Sequence, residues 1–538
     1  MFATDSLRAS ATGMEIVDRA RRRQGWTKTC TATWWQTAHT SRATLRRFWL
    51  GKPIQRDNFI AICAAVGISN WSEIADTKLV PESEQTVLAD WGEAPELDSF
   101  YGRTAELNQL VEWISQDRCK VIALLGLGGI GKTTLAVMLA DQIQEQFEVL
   151  IWRSLKVAQS IESLLGSLLS VLSSTQVVVS PGEINRGISQ LIEYLRQRRC
   201  LVILDEAEVI FASDKSKSRP GVGRCREGYE GYGELLRRVS SDRHQSCIVL
   251  TSREKPQEIA VLQGENLPVR SLQLRGLPPQ EAIEIFQAKG YSDSEPGLTE
   301  LIALYGGNPL ALKVITTMIQ EVFNGNVAEF LSQSTLVLGD RLRTLLQQQV
   351  NRLCELEKEL LYWLTIEREP VSLSRLQANL HVPPAASFVV EALASLERRS
   401  LLEKVTPADR VLYALQPLVM KYVTEELIEQ VIDEIDAVLE TQNIEHFQVF
   451  RNHSLVKPNA PSNPDDRSAY QVLARLVQSL QREFRSESNL ESHLLQIQGL
   501  LRKRSPLAVG YAGRNLREIF QALAIYSSTS DWQDIPIR

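Results

Sequence analysis

No apolar run in this chain approaches the roughly 20 residues that a membrane-spanning helix needs. The N-terminus, Met1-Phe-Ala-Thr-Asp, lacks the basic-then-apolar order of a secretory signal, so the expected location is cytoplasmic, with no membrane partner. Cysteine is sparse: there are seven in 538 residues, no two at Cys-x-x-Cys spacing and none with a His at ligand spacing. That argues against a zinc site and for free thiols in a reducing compartment. Net charge is only -6, too small for whole-surface binding to nucleic acid. No internal repeat or long low-complexity segment is present, which argues against a repeat architecture. What is present is ordinary globular material, 44% apolar and 23% charged, and the length suggests about three to five folding units.

Charge and pattern divide the chain. Up to Lys78 there are 12 Lys and Arg against 6 Asp and Glu. Helices are expected over residues 14–23, Ser41–Trp49 (capped by Ser41) and Arg56–Val66, so residues 1–78 read as a small basic all-α unit. Residues 79–97 are polar and read as a linker. From there Val121–Leu125, Val149–Arg153, Leu201–Leu204 and Cys247–Leu250 are short runs rich in Val, Ile and Leu, separated by helical stretches. Buried strands alternating with helices imply a parallel sheet covered on both faces, over residues 98–276. Ala212–Gly233 reads as a long surface loop. Residues 277–340 read as helical. Residues 341–426 read as helices followed by two short strands, Leu401–Val405 and Val411–Leu415, the order of a winged helix. Residues 427–538 are helical again, broken by a polar stretch at 458–466. The expected class is therefore multidomain α/β plus α.

Gly126-Leu-Gly-Gly-Ile-Gly-Lys-Thr-Thr134 fits the phosphate-loop pattern G-x-x-x-x-G-K-[ST], with a strand before it and a helix after it. Gly126, Gly128, Gly129 and Gly131, with Ile130 between them, let backbone N–H groups converge on phosphates where a Cβ would intrude. Lys132 is expected at the β- and γ-phosphates, Thr133 as a Mg²⁺ ligand, and Thr134 beside them at the helix start. Asp205, at the end of Leu201–Asp205, suits the Mg²⁺ shell. Glu206 has two readings, orienting an attacking water or standing as a solvated carboxylate. Arg253 ends the Ile248-Val-Leu-Thr-Ser-Arg strand. It is placed either to sense a γ-phosphate or to pair with Glu254 or Glu258.

These residues, together with Phe100-Tyr-Gly-Arg103, Leu274-Arg-Gly-Leu-Pro-Pro-Gln-Glu-Ala282 and Gly306-Gly-Asn-Pro-Leu310, resemble the NB-ARC branch of the STAND-type P-loop NTPases over about 98–425. The resemblance implies a P-loop domain followed by helical and winged-helix domains, with ATP or ADP and Mg²⁺ as ligands. It also implies that Tyr101 and Arg103 border the adenine pocket and that Pro309 packs on adenine. Such proteins act as switches with an ADP-bound closed state and an ATP-bound self-associating state, reset by slow hydrolysis, and they engage a protein effector that this sequence does not specify. One departure stands out. Where the family's winged helix ends in Met-His-Asp, this chain has Leu415-Gln-Pro417. Gln416 keeps an amide that could donate to a β-phosphate, but Pro417 replaces the acid.

The flanks resemble cyanobacterial multidomain members of the same group. Ala43–Ile54 looks like their helix-turn-helix unit, and Gly510–Gly513 like a stretch that precedes WD or pentapeptide sensor repeats. The expectation is a naturally short form or a fragment lacking that sensor. Arg42, Arg46, Arg47 and Lys52, with Ser41, leave a second reading open: a nucleotide-regulated DNA-binding regulator acting through residues 1–78. A protein-interaction module accounts for the same unit. A third reading is an inert nucleotide-bound scaffold.

Overall fold

The computed structural model describes residues 6–28, 32–38, 40, 42–52, 54–76, 87–97, 99–213, 221–333, 337–407, 410–458, 469–484, 487–524, 532 and 534–537. The expected Ser41 cap, the Arg42 side chain, Cys30 and most of the polar stretch at 458–466 lie outside them. The chain divides into two units, Met1–Thr86 and Val87–Arg538.

In the first unit β1 (Ser6–Leu7) and β2 (Ile54–Gln55) form a short antiparallel pair. Around it lie α1 (Ala11–Arg23), α2 (Ala32–Thr37), α3 (Arg42–Trp49) and α4 (Arg56–Ala65). The expected all-α unit thus carries one small ribbon as well. Trp34, Phe48 and Phe59 are fully buried, and the Trp34 indole donates to the Ile62 carbonyl at 3.3 Å. Arg46 and Arg47 lie exposed on α3.

The second unit begins with a sheet of β3 (Leu88–Asp90), β4 (Val121–Leu125), β5 (Val149–Ser154), β6 (Cys200–Asp205), β7 (Cys247–Ser252) and β8 (Val269–Gln273). All pairings are parallel and the spatial order is β3-β5-β6-β7-β4-β8. Side chains alternate across it, as the two-residue period of a strand requires. Ala123, Ile151, Val202 and Leu250 pack with α7 (Ile161–Ser173), α8 (Ile184–Gln197) and α9 (Glu230–Ser241). Ile122, Leu150, Ile203 and Val249 pack on the other side with α5 (Thr104–Ser115) and α6 (Lys132–Ile143). A short α10 (Gln257–Leu262) precedes β8.

Two strands of this sheet lie outside the apolar runs read as strands. β3 falls inside the stretch read as linker, where Leu88, Ala89 and Asp90 pair with Val149, Leu150 and Ile151. Three residues are too few to show a period, and only the partner strand makes them extended. β8 is an edge strand with one face half-exposed, so its Val-Arg-Ser-Leu-Gln lacks an apolar run. The stretch read as a surface loop also needs correction. Val222 is buried, and a Cβ on Gly223 would come within 2.2 Å of the Lys255 carbonyl oxygen, so this part packs against the protein before α9 begins.

After the sheet come α11 (Pro279–Gln287), α12 (Leu298–Leu304), α13 (Pro309–Val322), α14 (Val327–Ser332) and α15 (Asp340–Val350). Next are α16 (Glu355–Glu367), α17 (Leu373–Asn379) and α18 (Ala386–Arg398), then an antiparallel ribbon of β9 (Leu402–Val405) and β10 (Leu412–Leu415), and α19 (Pro417–Thr441). Helices, then a ribbon, is the order read from the sequence. Residues from Leu277 to Ile535 share one apolar cluster, so the segments 277–340, 341–426 and 427–538 are packed on a common core. Among the described residues no helix is long and apolar enough to cross a membrane.

Candidate functional site

β4 lies between β7 and β8, neither of which is its neighbour in sequence. The crevice at the carboxyl ends of such strands is where open parallel sheets hold ligands. The loop Gly126–Thr134 leaves β4 there and turns into α6. Gly131 caps that helix at φ 101, a conformation that only glycine adopts without strain, and open space lies where its Cβ would point. Gly129, at φ 77, is needed for a different reason: a Cβ there would sit 2.6 Å from Cβ of Leu310. Two loop carbonyls are taken up by the start of α13. The Asn308 amide donates to Gly128 O at 3.2 Å, and the Leu310 amide to Gly129 O at 3.3 Å.

Lys132 is buried, with its ammonium donating to the carbonyls of Gly126 (2.9 Å) and Leu127 (3.0 Å). Burial pushes its pKa down to about 8, with the Glu208 carboxylate the strongest opposing charge. A bound phosphate would restore the proton. Nucleotide affinity is therefore expected to fall as pH rises through about 8, and binding to take up protons there. Titration calorimetry in two buffers of different ionisation enthalpy reads that uptake directly. A flat affinity across this range would remove Lys132 from the phosphate contact.

Asp205 ends β6 and is buried. Its Oδ1 accepts from Thr133 Oγ1 at 2.9 Å and from Thr251 Oγ1 at 2.5 Å. Burial raises its pKa and these two hydroxyls oppose the rise. The Thr133 hydroxyl and the Asp205 carboxylate form a hard oxygen pair, which fits Mg²⁺ completed by phosphate and water. Among the described residues no group of three His, Cys, Asp or Glu gathers around a metal position. Magnesium in a nucleotide site needs no such cage. Thr251 was not singled out in the sequence, although it lies in the Thr-Ser-Arg end of β7.

Glu206 follows with φ 59, a left-handed backbone that costs a non-glycine residue on the order of 1 kcal/mol. Its amide donates to Thr251 Oγ1 at 3.0 Å, which holds the turn. Its carboxyl is raised by burial first, then by Asp205 and Glu208. Arg253 pairs with neither Glu254 nor Glu258. Its Nε lies 2.9 Å from Glu208 Oε1, and its amide donates to Glu208 Oε2 at 3.2 Å. Parallel pairing of β6 with β7 sets Leu204 beside Leu250, which carries the turn after β6 alongside the end of β7. Glu254 points away, into a buried ion cluster. Its Oε1 lies 2.7 Å from both Arg352 Nε and Arg399 Nη1, and Arg399 Nε lies 3.5 Å from Glu357.

Tyr101, Arg103, Ile130, Gly131, Thr134 and Pro309 line a single cavity of about 230 Å³ beside the loop. Leu277, from the Leu274–Ala282 motif, and Lys313, which belongs to no motif, also line it, and the Lys313 ammonium sits 5.4 Å from the Tyr101 ring centre. Arg103 is mostly occupied with protein. It pairs with Glu106 at 2.6 Å and donates to the carbonyls of Ile130 (3.2 Å) and Arg275. Gln416 is not brought to this cavity. It donates to Glu403 at 2.9 Å and lines a separate cavity of about 430 Å³ with Lys255, Arg275, Arg398 and Lys404. Pro417 opens α19, leaving Gln416 extended at its N-terminal boundary, and the side chain turns to the ribbon.

Residues 103–210, from the Arg103 turn through β6 and its acids, match the model of the NB-ARC domain. This segment is similar to NB-ARC domains. Over 99% of its length the chain is 37% identical to an uncharacterized WD repeat-containing protein of Nostoc sp., covering 47% of that protein. Over 40% of its length it is 29% identical to a disease resistance-like protein of Arabidopsis thaliana, covering 16% of it. The chain thus spans less than half the length of these curated relatives. Among solved structures, a Signal Transduction ATPase with Numerous Domains protein with a tetratricopeptide repeat sensor from Pyrococcus horikoshii aligns at 18% identity and TM-score 0.32. That alignment covers 84% of this chain and 61% of that one.

Proposed function

We propose that this protein is an ATP/ADP switch in which residues 98–276 bind the phosphates and residues 277–340 and 341–426 close over them. The observation that carries the reading is the shared cavity. Arg103, Ile130, Gly131 and Thr134 line it from the sheet domain, and Leu277, Pro309 and Lys313 from the segment beyond. A nucleotide in such a joint touches both parts, so the number of its phosphates can bias their arrangement through differential contacts. Thr133 and Asp205 would hold Mg²⁺, which neutralises phosphate charge when bound. Lys132 would contact the β- and γ-phosphates. Arg253 would contact the γ-phosphate that distinguishes ATP from ADP. Glu206, whose raised pKa favours proton acceptance, would orient the attacking water. The WD repeats of the Nostoc relative support coupling of such a switch to a sensor.

Self-association in the ATP state follows if the closed arrangement covers a contact surface. Light scattering with ADP and with a non-hydrolysable ATP analogue tests this, and the expected result is a larger mass with the analogue. Equal masses, with both nucleotides bound, would reject the oligomerising switch.

A further inference from the structure

Glu208 belongs to none of the motifs described above, yet it pairs with Arg253 beside the Gly126–Thr134 loop. It lies in the short helical turn Ala207–Ile210, after the left-handed Glu206. Its side chain is 14% exposed and grips Arg253 twice, once through the guanidinium and once through the backbone amide. Arg253 in turn lies against the loop, because a Cβ on Gly128 would come 3.6 Å from its guanidinium carbon. The same carboxylate is the strongest opposing charge acting on Lys132. The carboxylate therefore holds a cation that a γ-phosphate would hold, and its paired oxygens offer Arg253 the same kind of charged acceptor as a phosphoryl group.

We propose that Glu208 is the residue that sets the preference between ATP and ADP, by occupying Arg253 so that ATP must displace it whereas ADP need not. The proposal rests on the nucleotide-switch reading. A γ-phosphate meets Glu208 in two ways. It competes for Arg253, and it is repelled by a half-buried like charge. ADP, one phosphate shorter, meets neither. Glu208 thus favours the ADP state through its hold on Arg253, and its removal shifts the equilibrium toward ATP.

The test is competition against a fluorescent ADP with Mg²⁺ present, using ADP and a non-hydrolysable ATP analogue on the full chain. The ratio of the two affinities is the readout, so a general loss of packing cancels. Glu208→Gln keeps the shape and removes the charge, and should raise the ATP-to-ADP affinity ratio about tenfold, the scale of one charge-assisted hydrogen bond. Glu208→Asp withdraws the charge by one methylene and should move the ratio in the same direction by less. In the Arg253→Gln background the same Glu208→Gln change should move the ratio by less, because only the like-charge repulsion is left to remove. Nucleotides that bind with an unchanged ratio in both Glu208 variants would overturn the proposal while leaving the switch reading intact. A wild-type protein that binds neither nucleotide would overturn both.

Discussion

Lys132→Met should abolish measurable nucleotide binding, weakening both ADP and ATP by at least about 100-fold. The side chain is an ammonium aimed by two backbone carbonyls of its own loop, Gly126 and Leu127, and nothing else in the loop is charged. Methionine has nearly the same length and apolar stem, so packing around α6 is retained. The protonated lysine is already disfavoured by burial without a ligand, so replacing it with a neutral group costs the fold little. The loss falls on the ligand instead. The phosphates lose their cation, while Glu208 and Asp205 remain as like charges. Fluorescent-nucleotide titration with circular dichroism as a folding control measures it. An affinity within threefold of wild type would show that the phosphates lie elsewhere.

The largest effect on stability is expected at Glu254. Glu254→Ala should destabilise the second unit by about 3–5 kcal/mol, the cost of leaving a buried charge without its partner. The carboxylate is 1% exposed and touches Arg399, which is fully buried, and Arg352, which is 24% exposed. Burial raises the Glu254 carboxyl pKa even with two arginines opposing it, so the cluster is expensive to desolvate and held together by its completeness. Arg352→Ala should cost less than Arg399→Ala, because Arg352 is partly hydrated. Urea unfolding of the three variants gives the order. A Glu254→Ala change below about 1 kcal/mol would mean that water already reaches the cluster.

The parts that the sequence revealed are those encoded within one local stretch. Val121–Leu125 and Cys247–Leu250 announce buried strands because both faces of a covered parallel sheet are apolar. Gly126–Thr134 announces its loop because the backbone geometry there admits few side chains. What stayed hidden was set by partners distant in the chain. Arg399 and Glu254 are 145 residues apart, and nothing local marks this arginine above its neighbour Arg398. Glu254 and Glu258 are the carboxylates close to Arg253 in sequence, whereas the sheet register delivers Glu208. Gln416 occupies the position that the resemblance predicted for a phosphate contact, yet its side chain follows Glu403. β3 and β8 lie at the two sheet edges, where half-exposed faces erase the apolar run.

Asn308 serves two structures with one side chain. Its Oδ1 accepts from the amides of Leu310 and Ala311 and so caps α13, while its Nδ2 donates to Gly128 of the phosphate loop. The loop is thereby shaped in part by residues that lie some 180 positions downstream. Anyone exchanging segments between relatives to make chimaeras must therefore treat Gly126–Thr134 and Gly306–Leu310 as one cassette, although a whole sheet separates them along the chain. A graft that moved the sheet domain alone would strand the Gly128 and Gly129 carbonyls and leave the cavity without its Pro309 wall.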